Sequence, residues 1–219
     1  RNLWETSVEV YYKRMNSQIE YREGFTPSLS DPELDLVFGK GWSYGAEFFV
    51  NKTRGRLNGW IGYTLSWTWR RFPDLNEGMK YPAKFDRRHD LSIVTNYDIS
   101  RKWKFGGVFV FASGNATTFP ERFYLIEGVL TQEFSRINAY RMPSYHRADV
   151  GFTYTRKPEI KRKYKSSWTF SAYNLYSRLN PYFIYFDQQG DPLAGTQTID
   201  AVKVSIFPII PSVTWNFKF

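Results

Sequence analysis

The residues best suited to chemistry stand together in Asp86-Arg-Arg-His-Asp90, which sets two carboxylates, two guanidiniums and an imidazole side by side. Such a cluster could carry proton transfer. His89 and His146 are the only imidazoles in the chain, and no serine or cysteine stands in a nucleophile-elbow pattern. The commoner outcome is a salt-bridged loop base formed by Asp86, Arg87 and Arg88, so no catalytic residue is assigned. His89 and His146 both stand where long connections enter alternating segments. They could share a metal, but arginines flank each and no third ligand is evident. No metal site and no cofactor is assigned. Gly106-Gly107 reads as a smooth patch of sheet that another backbone approaches, not as a phosphate cradle.

Ligand binding has better material. The stretch 71–88 offers Arg71, Phe72, Tyr81 and Arg87, and the stretch 112–146 offers Phe119, Arg122, Tyr124, Arg136 and Tyr140. Arginine beside aromatic rings suits anionic chelates, whose carboxylate or catecholate oxygens pair with guanidinium, and sugar rings, which stack. The competing reading is that these aromatics pack the loops against one another.

Eight alternating segments must position these residues. In the first, about Glu5–Arg14, Val8, Val10 and Tyr12 share one face. The second, Ser43–Lys52, puts Tyr44, Ala46, Phe48 and Val50 on one face. The third alternates Ile61, Tyr63, Leu65, Trp67 and Trp69 with small polar residues. The fourth carries Leu91, Ile93, Thr95 and Tyr97, and the fifth Trp103, Phe105, Gly107, Phe109 and Phe111. The sixth, Arg147–Thr155, carries Ala148, Val150, Phe152 and Tyr154. The seventh starts at Trp168 and Phe170 and is expected to resume at Tyr182–Phe186 after a kink at Pro181. The eighth ends the chain with Val213, Trp215, Phe217 and Phe219.

Connections alternate in length. Those after segments two, four and six are short to middling. The others are long, at 15–42, 71–88, 112–146 and 187–200. Long loops at one end and short turns at the other are the habit of outer-membrane barrels. The second face of the segments carries Glu9, Lys13, Glu47, Asp90, Lys104, Arg147 and Asp149, charges of both signs.

Composition narrows the class. Aromatic residues make up 20% of 219 residues and mean hydropathy is −0.50. No apolar run is long enough for a membrane helix, but a barrel wall needs only alternate residues to face lipid. There is no cysteine, hence no disulfide framework. The net charge of +9 permits attraction to nucleic acid. Its charges are scattered apart from the run between Arg156 and Lys165, so nucleic acid is not expected as a partner. The sequence begins Arg1-Asn-Leu-Trp, with no secretory signal pattern, and is read as a mature or truncated chain.

The ending, with Val213, Trp215, Phe217 and Phe219 on one face, resembles the C-terminal signal by which bacterial outer-membrane proteins are recognised for insertion. The wider chain resembles the C-terminal part of the TonB-dependent outer-membrane receptors of the Bacteroidetes type. The matching stretches include Gly45-Ala-Glu-Phe48, Trp60-Ile-Gly-Tyr-Thr-Leu-Ser66, Asn76-Glu-Gly78 with Tyr81-Pro82, and Asp86-Arg-Arg-His-Asp90. They continue with Pro143-Ser-Tyr-His-Arg147, Tyr173-Asn174 with Asn180-Pro181, and Phe207-Pro208, all in the family's order.

The resemblance implies an all-β transmembrane antiparallel barrel. Residues 1–219 would supply about eight C-terminal strands of a 22-stranded wall. It implies uptake of a scarce ligand (siderophore, haem, vitamin or glycan) in a Gram-negative outer membrane, and no enzyme activity. Its partners would be outer-membrane lipid, the N-terminal plug and remaining strands, TonB acting through the N-terminal part, the outer-membrane assembly machinery, and in some settings a larger envelope complex. One alternative is a stand-alone eight-stranded outer-membrane barrel with a structural or small-channel role. A distant one is a soluble basic β-domain that binds nucleic acid.

Overall fold

Alternation becomes eight strands of one sheet. In the computed structural model, which describes residues 3–22, 32–126, 129–134, 136–156, 165–190 and 194–218, they are β1 (Trp4–Tyr21), β2 (Leu36–Lys52), β3 (Leu57–Arg71), β4 (His89–Asp98), β5 (Trp103–Ala112), β6 (Tyr145–Thr155), β7 (Lys165–Tyr173) and β8 (Ile210–Lys218). All neighbours are antiparallel and their order in the sheet is their order in the chain. The fold is therefore all-β, and no helix among the described residues is long and apolar enough to cross a membrane.

Two expectations change. Residues 15–42 are not one long loop, because β1 runs on to Tyr21 and β2 begins at Leu36. The polar run Asn16-Ser17-Gln18 breaks the alternation. A register shift between Met15 and Gln18 absorbs it, and Ile19 then pairs with Phe38. The seventh strand does not resume at Tyr182–Phe186. The chain turns at Asn174 and Ser177, both with φ of +52°, and Pro181–Gln189 pairs with Thr198–Ser205 as a separate hairpin.

Cross-strand partners share a face, so the ladder tests the alternation independently. One row reads Thr6, Val50, Ile61, Ile93, Phe109 and Ala148; another reads Leu57, Tyr97, Phe105, Phe152, Phe170 and Val213. Every residue expected on the apolar face of β1–β8 falls in such a row, apart from Phe219, which lies outside the described residues. Aromatic rows close this face at both ends. Trp103, Tyr154, Trp168 and Trp215 form one, with Trp103–Tyr154 centroids 5.0 Å apart and Trp168–Trp215 5.9 Å apart. Tyr12, Tyr44 and Trp67 form the other, with successive stacks at 6.5 and 5.4 Å.

The second face carries Glu9, Glu47, Thr64 and Asp90 in one row and Asp98, Lys104, Thr153, Thr169 and Thr214 in another. It is not uniformly polar, since Phe49 and Trp60 meet at 5.9 Å beside Val94. Gly106 lies on this face. Gly107 lies on the apolar one, where a Cβ would come within 3.0 Å of the Phe105 ring. That glycine makes room for its neighbour's ring rather than for another backbone. In the short turn after β2, Gly55 holds φ of +103°, a conformation that favours glycine.

The apolar face is open to its surroundings, with Val8 67% and Val10 78% exposed. The buried cluster is small. Val37, Phe72, Leu75 and Tyr81, with Ile137 against them, sit at the long-loop end. The chain exposes 15520 Å², against about 10,500 Å² expected of a compact monomer of this mass. Among the described residues β1 pairs only with β2 and β8 only with β7, so the sheet is open.

Candidate functional site

The long connections leave the sheet at one end, and two buried side-chain networks tie their bases together. The first is centred on Asp86, 2% exposed. Its Oδ1 accepts the Thr68 backbone N–H at 2.5 Å and its Oδ2 accepts Arg88 Nη2 at 3.3 Å. Arg141, arriving from the 113–144 connection, donates to the same Oδ2 and to the Asp86 carbonyl at 2.6 Å. Arg88 also donates to the Ser66 carbonyl at 2.9 Å and lies 4.7 Å from the Trp67 ring centre. A loop base of charged residues was expected here. Its partner set differs: Arg141 joins Asp86, while Arg87 turns away to Asn115 Oδ1 at 2.6 Å and approaches Asp90 at 3.9 Å. Spacing along the chain could not reveal Arg141, which is 55 residues distant.

The second network is centred on Asp149. Its carboxylate accepts Arg147 Nε at 2.9 Å and the Asn174 backbone N–H at 2.9 Å. Arg147 Nη1 donates to the hydroxyls of Tyr145, at 2.7 Å, and Tyr173, at 2.6 Å. Buried Asn174 donates to the carbonyls of Arg178 and Phe207, each at 2.9 Å, and so fixes the path of the 174–209 connection. Asn180, also buried, bridges the backbone N–H and carbonyl of His146. Beside them lies a cavity of about 250 Å³, lined by Tyr145, Arg147, Tyr173, Asn180, Tyr182 and Phe207 among others. Hydroxyl, amide and guanidinium donors beside aromatic rings can bind an oxygen-rich or anionic ligand. Partial desolvation, opposed by the Arg178 cation, raises the pKa of Tyr176 in this connection, although the residue is itself 45% exposed.

The two histidines take similar places. His89 Nδ1 shares a hydrogen bond with the Tyr63 hydroxyl at 2.8 Å, and His146 Nδ1 does so with Tyr176 at 2.8 Å. Each also stacks on an aromatic neighbour, Tyr63 at 6.1 Å and Phe111 at 6.4 Å. Among the described residues no group of three metal-ligating side chains is gathered.

The nine loop candidates scatter. Phe72 and Tyr81 are buried against each other, centroids 6.3 Å apart, and are packing residues closed to a ligand. Phe119 and Tyr140 do meet, at 5.7 Å, and Phe119 also meets Phe186 at 5.5 Å. Arg122 and Tyr124 share the hairpin strand Arg122–Ile126, and Tyr124 is exposed. Arg136 is exposed. Arg71 pairs with Lys40 and donates Nε to the Gly78 carbonyl at 2.8 Å. Val213, Trp215 and Phe217 project from the apolar face and are exposed. Most of the basic run from Arg156 to Lys165 lies outside the described residues.

Tyr145, Arg147 and Tyr173, which the structure gathers at this cavity, are not among the residues singled out from the sequence for ligand contact. A signal existed. Tyr145 and Arg147 stand two apart on the polar face where a long connection enters a strand, a spacing that turns both to the same side of the sheet. No family model matches the chain, and no curated protein or solved structure matches it significantly.

Proposed function

We propose that the chain is the C-terminal segment of the wall of an outer-membrane TonB-dependent receptor that imports a scarce ligand. One observation carries the reading: an apolar face, in register across eight strands, that stays exposed instead of forming a core, while charges of both signs gather on the other face. A soluble sheet buries that face. A lipid-facing wall exposes it and flanks it with aromatic belts. From Trp103 to Phe111 the strand spans roughly 26 Å at ~3.3 Å per residue. Tilted at about 40°, that covers some 20 Å of bilayer, near the height of a barrel's apolar band.

The open edges support a larger wall. In lipid every backbone N–H and C=O needs a partner, so both β1 and β8 require neighbours beyond this sheet. Further strands supply them in the receptor architecture. The Asp86 and Asp149 networks then stand at the extracellular mouth, where the Tyr145–Arg147–Tyr173 cavity is the first contact for an anionic or sugar-bearing cargo. The plug, and TonB beyond it, would act on the charged face.

The test is the denatured mass of the native polypeptide in salt-washed outer membranes, detected with an antibody against its C-terminal residues. The expected band lies far above 26.0 kDa, the mass of this chain. A band at that mass, or protein released by the salt wash, would overturn the reading.

A further inference from the structure

We propose that a groove on the outward face, at the rim above β1–β3, binds the phosphate-bearing headgroup of a membrane glycolipid. The inference rests on the wall reading above. The groove has a volume of about 710 Å³ and its lining includes Arg14, Lys40 and Arg71 with Phe38 and Trp42. The ladder fixes its side of the sheet. Tyr12 pairs with Tyr44 in the upper aromatic row. Two positions on, Arg14 pairs with Trp42 and Trp42 with Trp69, and Lys40 pairs with Arg71. All therefore share the apolar face and lie immediately beyond its aromatic border. Lys80 joins them, its Nζ 4.7 Å from the Trp69 ring centre.

Charge is sorted by face here. The carboxylates of β1 and β2, namely Glu5, Glu9, Glu20 and Glu47, all fall on the opposite face. Among the described residues none of Arg14, Lys40, Arg71 and Lys80 has a carboxylate within ion-pair distance. Four exposed cations with no acidic partner among the described residues, one of them over the Trp69 ring, stand directly above an apolar band and match an anion whose chains lie in that band. Guanidinium takes phosphate oxygens bidentately and ammonium adds a mobile point charge. Phe38, 65% exposed, offers apolar surface beside them. A cargo entering the barrel would meet the other face, so this groove serves the surrounding leaflet and not the import path.

The experiment uses the native protein purified from membranes into detergent micelles, with lipid binding read by native mass spectrometry. The probes are bisphosphorylated lipid A, the same lipid without phosphates, and inorganic pyrophosphate. Bisphosphorylated lipid is expected to bind, and Arg14→Gln with Lys40→Gln to weaken it about tenfold or more. Lys13→Gln, one residue away but on the opposite face, is expected to leave binding unchanged. Equal binding of the dephosphorylated lipid, or native-like binding by the double variant, would overturn the proposal. So would pyrophosphate binding as tightly as the lipid, since that would make the groove a site for soluble anions. Fractionation separates the two readings. Native protein absent from salt-washed membranes faults the wall, whereas native protein that is present but binds no phosphorylated lipid faults the groove alone.

Discussion

The two ends of the sheet are held by different physics. At the short-turn end, side chains of the same kind meet across strands. Trp168 stacks on Trp215, and Thr153 bonds Thr169 at 3.0 Å. No buried charge is involved, and each contact joins immediate neighbours in the ladder. At the long-loop end, Asp86 and Asp149 gather groups from connections far apart in the chain. One end is a repeating surface that tolerates single losses. The other is a set of unique knots, in which a lost acceptor strands several donors at once.

The comparison is most exposed to Asp86→Ala. This removes the acceptor of two arginines and the Thr68 N–H, and should cost about 3 kcal/mol; both arginines reach water, which keeps the cost toward the low end for a broken buried pair. Limited proteolysis should show the 72–88 and 113–144 connections opening while the β-sheet signal in circular dichroism persists. Collapse of the whole sheet would show that the two ends are not independent.

Asn174→Ala should come next, at about 2 kcal/mol. It strands the Arg178 and Phe207 carbonyls and forces alanine into a positive-φ conformation. Cleavage between residues 174 and 209 is the readout, with the 113–144 connection unaffected.

At the opposite end, a double-mutant cycle on Trp168→Ala and Trp215→Ala should give a coupling of roughly 1 kcal/mol in denaturant unfolding. A coupling as large as the Asp86 effect would erase the distinction. Smallest is Thr153→Val, expected within about 0.5 kcal/mol because Thr169 sits on a face reached by water.

The same difference decides what the sequence reveals. The strands were legible because alternation is local. Trp67 and Trp69 announce their face without knowledge of any partner, and the eight strands of the main sheet follow in the expected chain order, with only the second half of the seventh segment lying elsewhere. Where alternation broke, at Asn16–Gln18 and after Tyr173, so did the expectation. A bulge and a pair of positive-φ turns reset the chain there. The mouth was hardly legible. Nothing local to Asp86 points to Arg141, and nothing marks Phe72 as buried while Phe85, in the same connection, is 80% exposed. Aromatic and arginine residues on a loop look alike whether they pack or wait for a ligand. Only the long-range fold sorts them.

The meander order of the sheet also has a consequence in time. The connection between β2 and β3 spans residues 53–56, whereas that between β7 and β8 spans 174–209. Closing the longer one costs roughly 2 kcal/mol more chain entropy. The hairpins β2–β3 and β4–β5, each joined by a tight turn, are therefore the natural first units to form, with β6–β7 close behind. The long connections then draw finished hairpins together rather than single strands. β1 and β8 are left outermost, so among the described residues the sheet grows from its inner hairpins and finishes at its two edges.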